Sequence, residues 1–146
     1  MARYEAEIET AATPEQVLRA LTDFSSRRVE IWPYLSADRF RVIEQTETTA
    51  RVREGSGAPA WVWAIERYDW SEPGTVRWKV EDSDAFASGT ELIVRAKPRE
   101  GGGSRVHITW ERAGKTLKGK MVVGMVAAMK GKPIFDTYKK VFDSLA

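Results

Sequence analysis

The sequence predicts an α+β domain: a curved antiparallel sheet of six to seven strands around a C-terminal helix that is broken or kinked near Gly131–Pro133, with two short helices after the first strand. Three observations predict it. Short segments with alternating apolar residues recur through the middle of the chain. Gly- and Pro-rich turns separate them at spacings too short for crossover helices, so the strands pair as hairpins. The last stretch, Leu117 to Leu145, carries an apolar stripe at helical spacing. A bent sheet clasped by one helix leaves a hollow between them, and the function is expected there.

Tyr4, Ala6 and Ile8 alternate with Glu5, Glu7 and Glu9, which gives a first strand with one dry and one wet face. Thr13-Pro14-Glu15-Gln16 then starts a helix, with Thr13 as N-cap, Pro14 at the first helical position and Gln16 as the capping-box partner. Val17, Leu18 and Leu21 form its apolar stripe. A second short helix is expected from about Ser25 to Ile31, ending where Pro33 disfavours helix in the residue before it. Strands follow at Arg39–Gln45, Ala50–Glu54, Trp61–Trp70, Thr75–Glu81, Thr90–Lys97 and Ser104–Arg112. In the closing segment Leu117, Met121, Met125, Ala128, Phe135, Tyr138, Phe142 and Leu145 form the buried stripe. Gly131-Lys132-Pro133 interrupts it, so two helical pieces are expected, Leu117–Lys130 and Pro133–Leu145.

Length and composition bound the rest. A chain of 146 residues, 42% hydrophobic and 30% charged, fits one soluble globular domain spanning residues 1–146 with a real core. No apolar run approaches the ~20 residues of a membrane span, and the polar, acidic Met1–Glu9 does not read as a signal peptide. A cytoplasmic location is the simplest expectation. The absence of cysteine excludes disulfides, thiolate chemistry and Cys-ligated metal sites. Up to Glu111 the chain has 15 basic and 19 acidic residues, net −4; from Arg112 it has 8 and 2, net +6. That basic segment is either a solvated helix face or a surface for peripheral contact with an anionic membrane. No nucleic-acid motif accompanies it, so nucleic acid is not an expected partner.

One helix about 10–12 Å wide cannot cover the concave side of six or seven strands. Trp61, Trp63 and Ile65 share one expected inward face, as do Val76, Trp78 and Val80, then Leu92 and Val94, then Val106, Ile108 and Trp110. Six tryptophans is heavy use of the largest side chain. Trp61, Trp63, Trp78 and Trp110 either pack the core or line a cavity and offer indole N–H donors to a ligand. Met121, Met125 and Met129 are either core or a soft, adaptable wall. The ligand-binding residues expected on this basis are Trp32, Tyr34, Trp63, Arg67, Trp78, Leu92, Ile108, Trp110 and those three methionines.

Several phrases in order carry a family likeness. They are Ala12-Thr13-Pro14-Glu15-Gln16-Val17, Ile31-Trp32-Pro33-Tyr34, Tyr68-Asp69-Trp70 with Glu72-Pro73-Gly74, Gly89-Thr90-Glu91-Leu92, and Ser104-Arg105-Val106-His107-Ile108-Thr109-Trp110. With them the whole chain resembles the START-like (SRPBCC) superfamily, in its polyketide cyclase/dehydrase and lipid-transport branch. The resemblance implies a helix-grip fold around a hydrophobic cavity that binds lipids, sterols, polyketides or plant hormones. A minority of such proteins catalyse cyclisation or aromatisation. It supplies no catalytic motif to carry over, and no cofactor is expected.

For chemistry the residues offer little. His107, the one histidine, lies between inward-facing Val106 and Ile108 and so is expected on the wetter face, away from any triad. No metal site is expected, because one histidine leaves only carboxylates as ligands. Charges on nominally apolar faces are better candidates: Arg67 shares parity with Trp63 and Ile65, and Glu44 with Phe40 and Val42. Arg67 would anchor an acidic ligand and Glu44 would act as acid or base if buried; a bulge would instead turn both to water. Tyr34 and Tyr68 are further donors for a ligand oxygen. Three functions stay open: a binder of a small hydrophobic molecule such as a lipid, isoprenoid or polyketide; a polyketide cyclase/aromatase; and a protein- or membrane-interaction module without a ligand.

Overall fold

In the computed structural model, which describes residues 1–57 and 61–146, the chain runs β1 (Ala2–Thr10), α1 (Pro14–Thr22), α2 (Arg28–Ile31), a 3-10 turn (Ala37–Arg39) and β2 (Arg41–Gln45). It continues through β3 (Thr49–Gly55), β4 (Trp63–Asp69), β5 (Thr75–Ser83), β6 (Glu91–Pro98) and β7 (Ser104–Arg112) to α3 (Leu117–Ala128) and α4 (Lys132–Ser144). The strands form one antiparallel sheet in the order β1-β7-β6-β5-β4-β3-β2. The six later strands are a meander, and β1 closes on the last of them. This is the arrangement expected from the sequence.

Local chemistry sets the element boundaries. Thr13 Oγ1 accepts from the Gln16 amide and Gln16 Oε1 accepts from the Thr13 amide, so the expected capping box starts α1. The second helix is shorter than expected. Asp23 Oδ1 accepts from both the amide and the hydroxyl of Ser25, and this turn consumes the residues before Arg28. The interruption near Pro133 is real: Gly131 takes a left-handed φ of 79°, its amide returns to the Val126 carbonyl, and Pro133 sits in the first turn of α4.

The core lies between the concave sheet face and the helices α1 and α4. Val17, Ala20 and Leu21 of α1 meet Phe135, Tyr138, Val141 and Phe142 of α4 over Val94, Val106 and Ile108. Burial of each large side chain is worth ~1.5–3 kcal/mol. On β5, β6 and β7 the inward residues are those the alternation predicts, and β1 keeps Glu5, Glu7 and Glu9 in water.

Strand β4 faces the other way from expectation. Its concave residues are Ala64, Glu66 and Tyr68, because they pair with Glu54, Val52 and Ala50 of β3. Trp63 and Ile65 therefore lie half-buried on the convex side, where the Arg53 guanidinium covers the Trp63 ring at 4.7 Å. The Trp63 ring is thus shielded by the long arm of Arg53 rather than by the core.

Helix α3 is the second departure. The expected buried stripe is on its outer side: Leu117, Met121, Met125 and Met129 are exposed, while Val122, Val123 and Val126 are half-buried. Both faces are apolar, so periodicity does not choose between them. Gly119 chooses: it rests so closely on the Ala85 carbonyl that a Cβ would sit 1.7 Å from that oxygen. At the other end the Tyr4 hydroxyl donates to the Ala127 carbonyl. Among the described residues no helix is long and apolar enough to cross a membrane.

The two glycines of α3 should therefore respond oppositely. Gly119→Ala should lose at least ~2 kcal/mol in urea unfolding through overpacking, whereas Gly124→Ala, which meets nothing within 4 Å, should gain ~0.5–1 kcal/mol from helix propensity.

Candidate functional site

α1 and α4 cover one end of the concave face, and beyond them a cavity of about 360 Å³ remains. Trp78, Leu92 and Trp110 make its floor, each on a neighbouring strand and in direct register: Tyr68 opposite Trp78, Trp78 opposite Leu92, Leu92 opposite Trp110. Tyr68 stacks on Trp78 with ring centroids 5.1 Å apart, which stiffens that row. The roof is Val122 and Val126 of α3 with Ile134 and Tyr138 of α4, and Tyr34 stands at one side.

One end of this apolar space is charged. Glu54 of β3 and Glu66 of β4 point inward on adjacent strands, and Arg112 ends β7 beside them. Glu54 is part of a closed network. Arg28 of α2 donates from Nε to Glu54 Oε2 and from Nη2 to Glu54 Oε1, both at 3.2 Å, and from Nη2 to the Tyr68 oxygen at 3.0 Å. Its Nη1 reaches the carbonyls of Leu21 and Asp23, and Tyr68 donates its own proton to Glu54. Burial works against the charge on Arg28, but Glu54 more than offsets it and holds the guanidinium protonated. A buried pair with every donor used is stable in place.

Glu66 differs. Its Oε2 is buried with no hydrogen-bond partner, and Arg112 Nη2 lies 3.7 Å away, an ion pair but not a hydrogen bond. Burial raises its carboxyl, Arg112 lowers it and Glu54 raises it again, so that it is pushed up to about 7. A carboxyl poised near neutrality beside a buried guanidinium can hold or release a proton next to a ligand oxygen. Among the described residues no three His, Asp or Glu side chains gather to hold a metal ion.

Of the residues expected from the sequence, the structure brings Tyr34, Trp78, Leu92 and Trp110 to the cavity wall, together with the donor Tyr68. Others are elsewhere. Trp32 is buried in the core, its indole donating to the Ala20 carbonyl and its ring against Tyr138 and Phe142. Ile108 is core as well, and Trp63 is on the convex face. Met121, Met125 and Met129 lie on the outer side of the helix whose inner side roofs the cavity. Lys118 and Lys115 nearby are tied to Asp84 and Asp82.

Arg67 and Glu44 do not reach the site. Arg67 is half exposed, donating to Glu81 at 2.9 Å and lying 3.5 Å from Glu44, which is more exposed still. The inverted parity of β4 turns Arg67 outward, and a register shift between Val42 and Glu44 turns Glu44 away. His107 is on the convex side, its Nε2 3.4 Å from Glu5, as the alternation predicts.

Glu54, Glu66 and Arg112 were the residues that sequence reasoning missed. For two of them a signal existed: Glu54 shares a face with Ala50 and Val52, and Arg112 with Ile108 and Trp110. Glu66 has none until the parity of β4 is known.

The raised carboxyl has a consequence for stability. A folded state that holds a proton more tightly than the unfolded chain loses stability as pH rises between the two values, here from the ordinary 4.5 to about 7. Glu66→Gln should remove that loss, so urea unfolding should show the variant gaining on the native protein from about pH 5 to about pH 8. Glu54→Gln, which leaves Arg28 buried and unpaired, should cost ~3–5 kcal/mol near neutral pH.

Three comparisons place the chain among known proteins. The structure of TTHA0849 from Thermus thermophilus superposes with a TM-score of 0.77 at 19% identity, over 99% of this chain and 96% of that one. A START superfamily protein from Mycobacterium smegmatis gives 0.77 at 11% identity, over 99% of each chain. The ZhuI aromatase/cyclase from a Streptomyces species gives 0.72 at 13% identity, over 96% of this chain and 93% of that one. At such identities these likenesses carry the fold, which is START-like and helix-grip. No curated protein sequence matches. A family model does, over residues 1–146, and the chain belongs to the polyketide cyclase / dehydrase and lipid transport family.

Proposed function

We propose that this protein binds a small hydrophobic molecule of the lipid, isoprenoid or polyketide class in its internal cavity. The observation that carries the reading is the space of about 360 Å³ between the Trp78–Leu92–Trp110 row and α3. It falls within the ~300–1,000 Å³ of small-molecule sites, with apolar and aromatic walls and a few convergent polar groups. The flat row suits a ligand with a ring system or an extended chain, oriented by the charged end. Access is placed between Tyr34, Ser56 and Val62 on one side and the inner valines of α3 on the other, all of which line the space.

A second reading, a polyketide cyclase/aromatase, is favoured by one specific observation. Glu66 and Arg112 stand together at the end of a cavity that would confine a reactive chain, the first as acid or base and the second as a charge stabiliser for an enolate oxygen. The aromatase/cyclase with a similar fold lends this reading its reaction class.

Protein purified from its own host, analysed by native mass spectrometry and organic extraction, should carry a co-purifying small apolar molecule. Val126→Trp, which fills the space from the roof, should abolish that recovery while the fold is kept; an empty native protein counts against binding. For the cyclase reading, turnover of a poly-β-ketone should drop ~10²-fold or more in Glu66→Gln and be unchanged in Arg67→Ala. Equal loss in both variants would remove Glu66 from the chemistry.

A further inference from the structure

The two buried ion pairs at the cavity's charged end are built differently. Arg28 and Glu54 satisfy each other with two hydrogen bonds, and Tyr68 completes the network. Arg112 and Glu66 do not. Their nearest polar atoms are 3.7 Å apart, and Glu66 Oε2 has no partner. Arg112 is 4% exposed, and among the described residues its one hydrogen bond runs from Nη1 to the carbonyl of Glu111. Its guanidinium otherwise lies over the Phe86 ring and borders the cavity.

Neither protonation state of Glu66 closes this end. When it is ionised, two buried charges face each other without a hydrogen bond between them and with Glu66 Oε2 unpartnered. When it is protonated, a buried guanidinium is left without a counter-charge. Both situations are costly in apolar surroundings. A ligand alcohol or ketone supplies no charge, so it leaves Arg112 without a counter-charge whenever Glu66 is protonated. A carboxylate supplies that counter-charge while Glu66 keeps its proton: its oxygens accept from Arg112, and one of them accepts from the protonated Glu66.

We propose that the cavity is built for an apolar monocarboxylic acid whose carboxylate lodges between Arg112 and Glu66, and that binding requires Glu66 protonated, drawing the proton from solvent wherever that carboxyl is ionised. The proposal rests on the hydrophobic-ligand reading above and names the ligand class within it. The charged and titratable groups facing Glu66 are Arg112 from β7, Glu54 from β3, Arg28 from α2, Tyr68 from β4, Tyr138 from α4 and Tyr34 from the loop after α2. Arg28 and Glu54 cancel. Burial keeps Tyr68 and Tyr138 uncharged, since it pushes both phenols well up. The charge balance therefore falls on Arg112, Glu66 and the ligand.

The sign follows from linkage. A bound carboxylate makes Glu66 hold its proton more tightly, so affinity for the acid falls as pH rises above neutral, by up to about tenfold per pH unit. The experiment is calorimetric titration of the full chain with dodecanoic acid and with naphthoic acid, each against its matching primary alcohol, across about pH 6.5–9. Each acid should bind at least about tenfold tighter than its alcohol near neutral pH and weaken with rising pH. Binding enthalpies should differ between buffers of different ionisation heat, by a proton uptake that rises toward one as pH rises above neutral. Glu66→Gln, which keeps the shape of the protonated carboxyl, should bind the acids with no pH dependence; Arg112→Met should erase the preference for acid over alcohol. Alcohols that bind as tightly as acids, or acid affinity in the native protein that is flat with pH, would overturn the proposal and leave the cavity reading standing. Failure of both acids and alcohols to bind, with nothing recovered from host-purified protein, would overturn both.

Discussion

A seven-stranded sheet presents more concave surface than two helices cover, and the rest of the structure follows from that mismatch. α1 and α4 seal one end of the surface with Val17, Leu21, Phe135 and Phe142 over Val94, Val106 and Ile108. Over the other end α3 is held off the sheet, anchored at Gly119 on Ala85 and at Ala127 by Tyr4. Between those anchors its valines roof a space whose floor is a cross-strand row of aromatic and aliphatic side chains. A helix packed at full contact along its length would remove the cavity, and with it the apolar recess on which the proposed function rests.

The polar end obeys a second constraint, that buried charge must be paired and hydrogen-bonded. The network of Arg28, Glu54 and Tyr68 meets it within the protein and ties α2 to β3 and β4. That network also fixes Tyr68, and through its stacking Trp78, so the floor is rigid where it meets the charged groups. Glu66 and Arg112 do not meet the constraint by themselves. The unpartnered Glu66 Oε2 borders the apolar cavity, whereas the other buried atom without a partner among the described residues, Arg53 Nε, belongs to the convex side. A family that includes both carriers and cyclases could draw either role from such a pair.

Much of this fold was legible in the sequence because local signals agreed with tertiary ones. The capping box at Thr13 and Gln16, the alternation of Val106, Ile108 and Trp110, and the break at Gly131 each rest on a few neighbouring residues. The site was legible in part. Trp78, Leu92 and Trp110 face inward as the alternation predicts, because their strands bury one face cleanly, and they line the recess. Strand β4 misled because Trp63 and Ile65 are the more apolar set, yet both lie half-buried on the convex side, where Arg53 covers the Trp63 ring, while Glu66 takes the inner face. Parity decides everything in a strand, and one inverted strand exchanged Glu66 for Arg67. Helix α3 misled for the opposite reason: with Met and Leu on one face and Val on the other, hydrophobicity has no direction. Its orientation is set by a single glycine meeting a carbonyl, which no periodicity encodes.

The most direct test is a high-resolution crystal structure of the protein as isolated from its own host. The account predicts continuous non-protein density in the recess, its body against Trp78 and Trp110 beneath Val122 and Val126, and its polar end within hydrogen-bond distance of Arg112. A recess closed by its own side chains, with Tyr34 or Tyr138 turned into the space and no room for a guest, would contradict it.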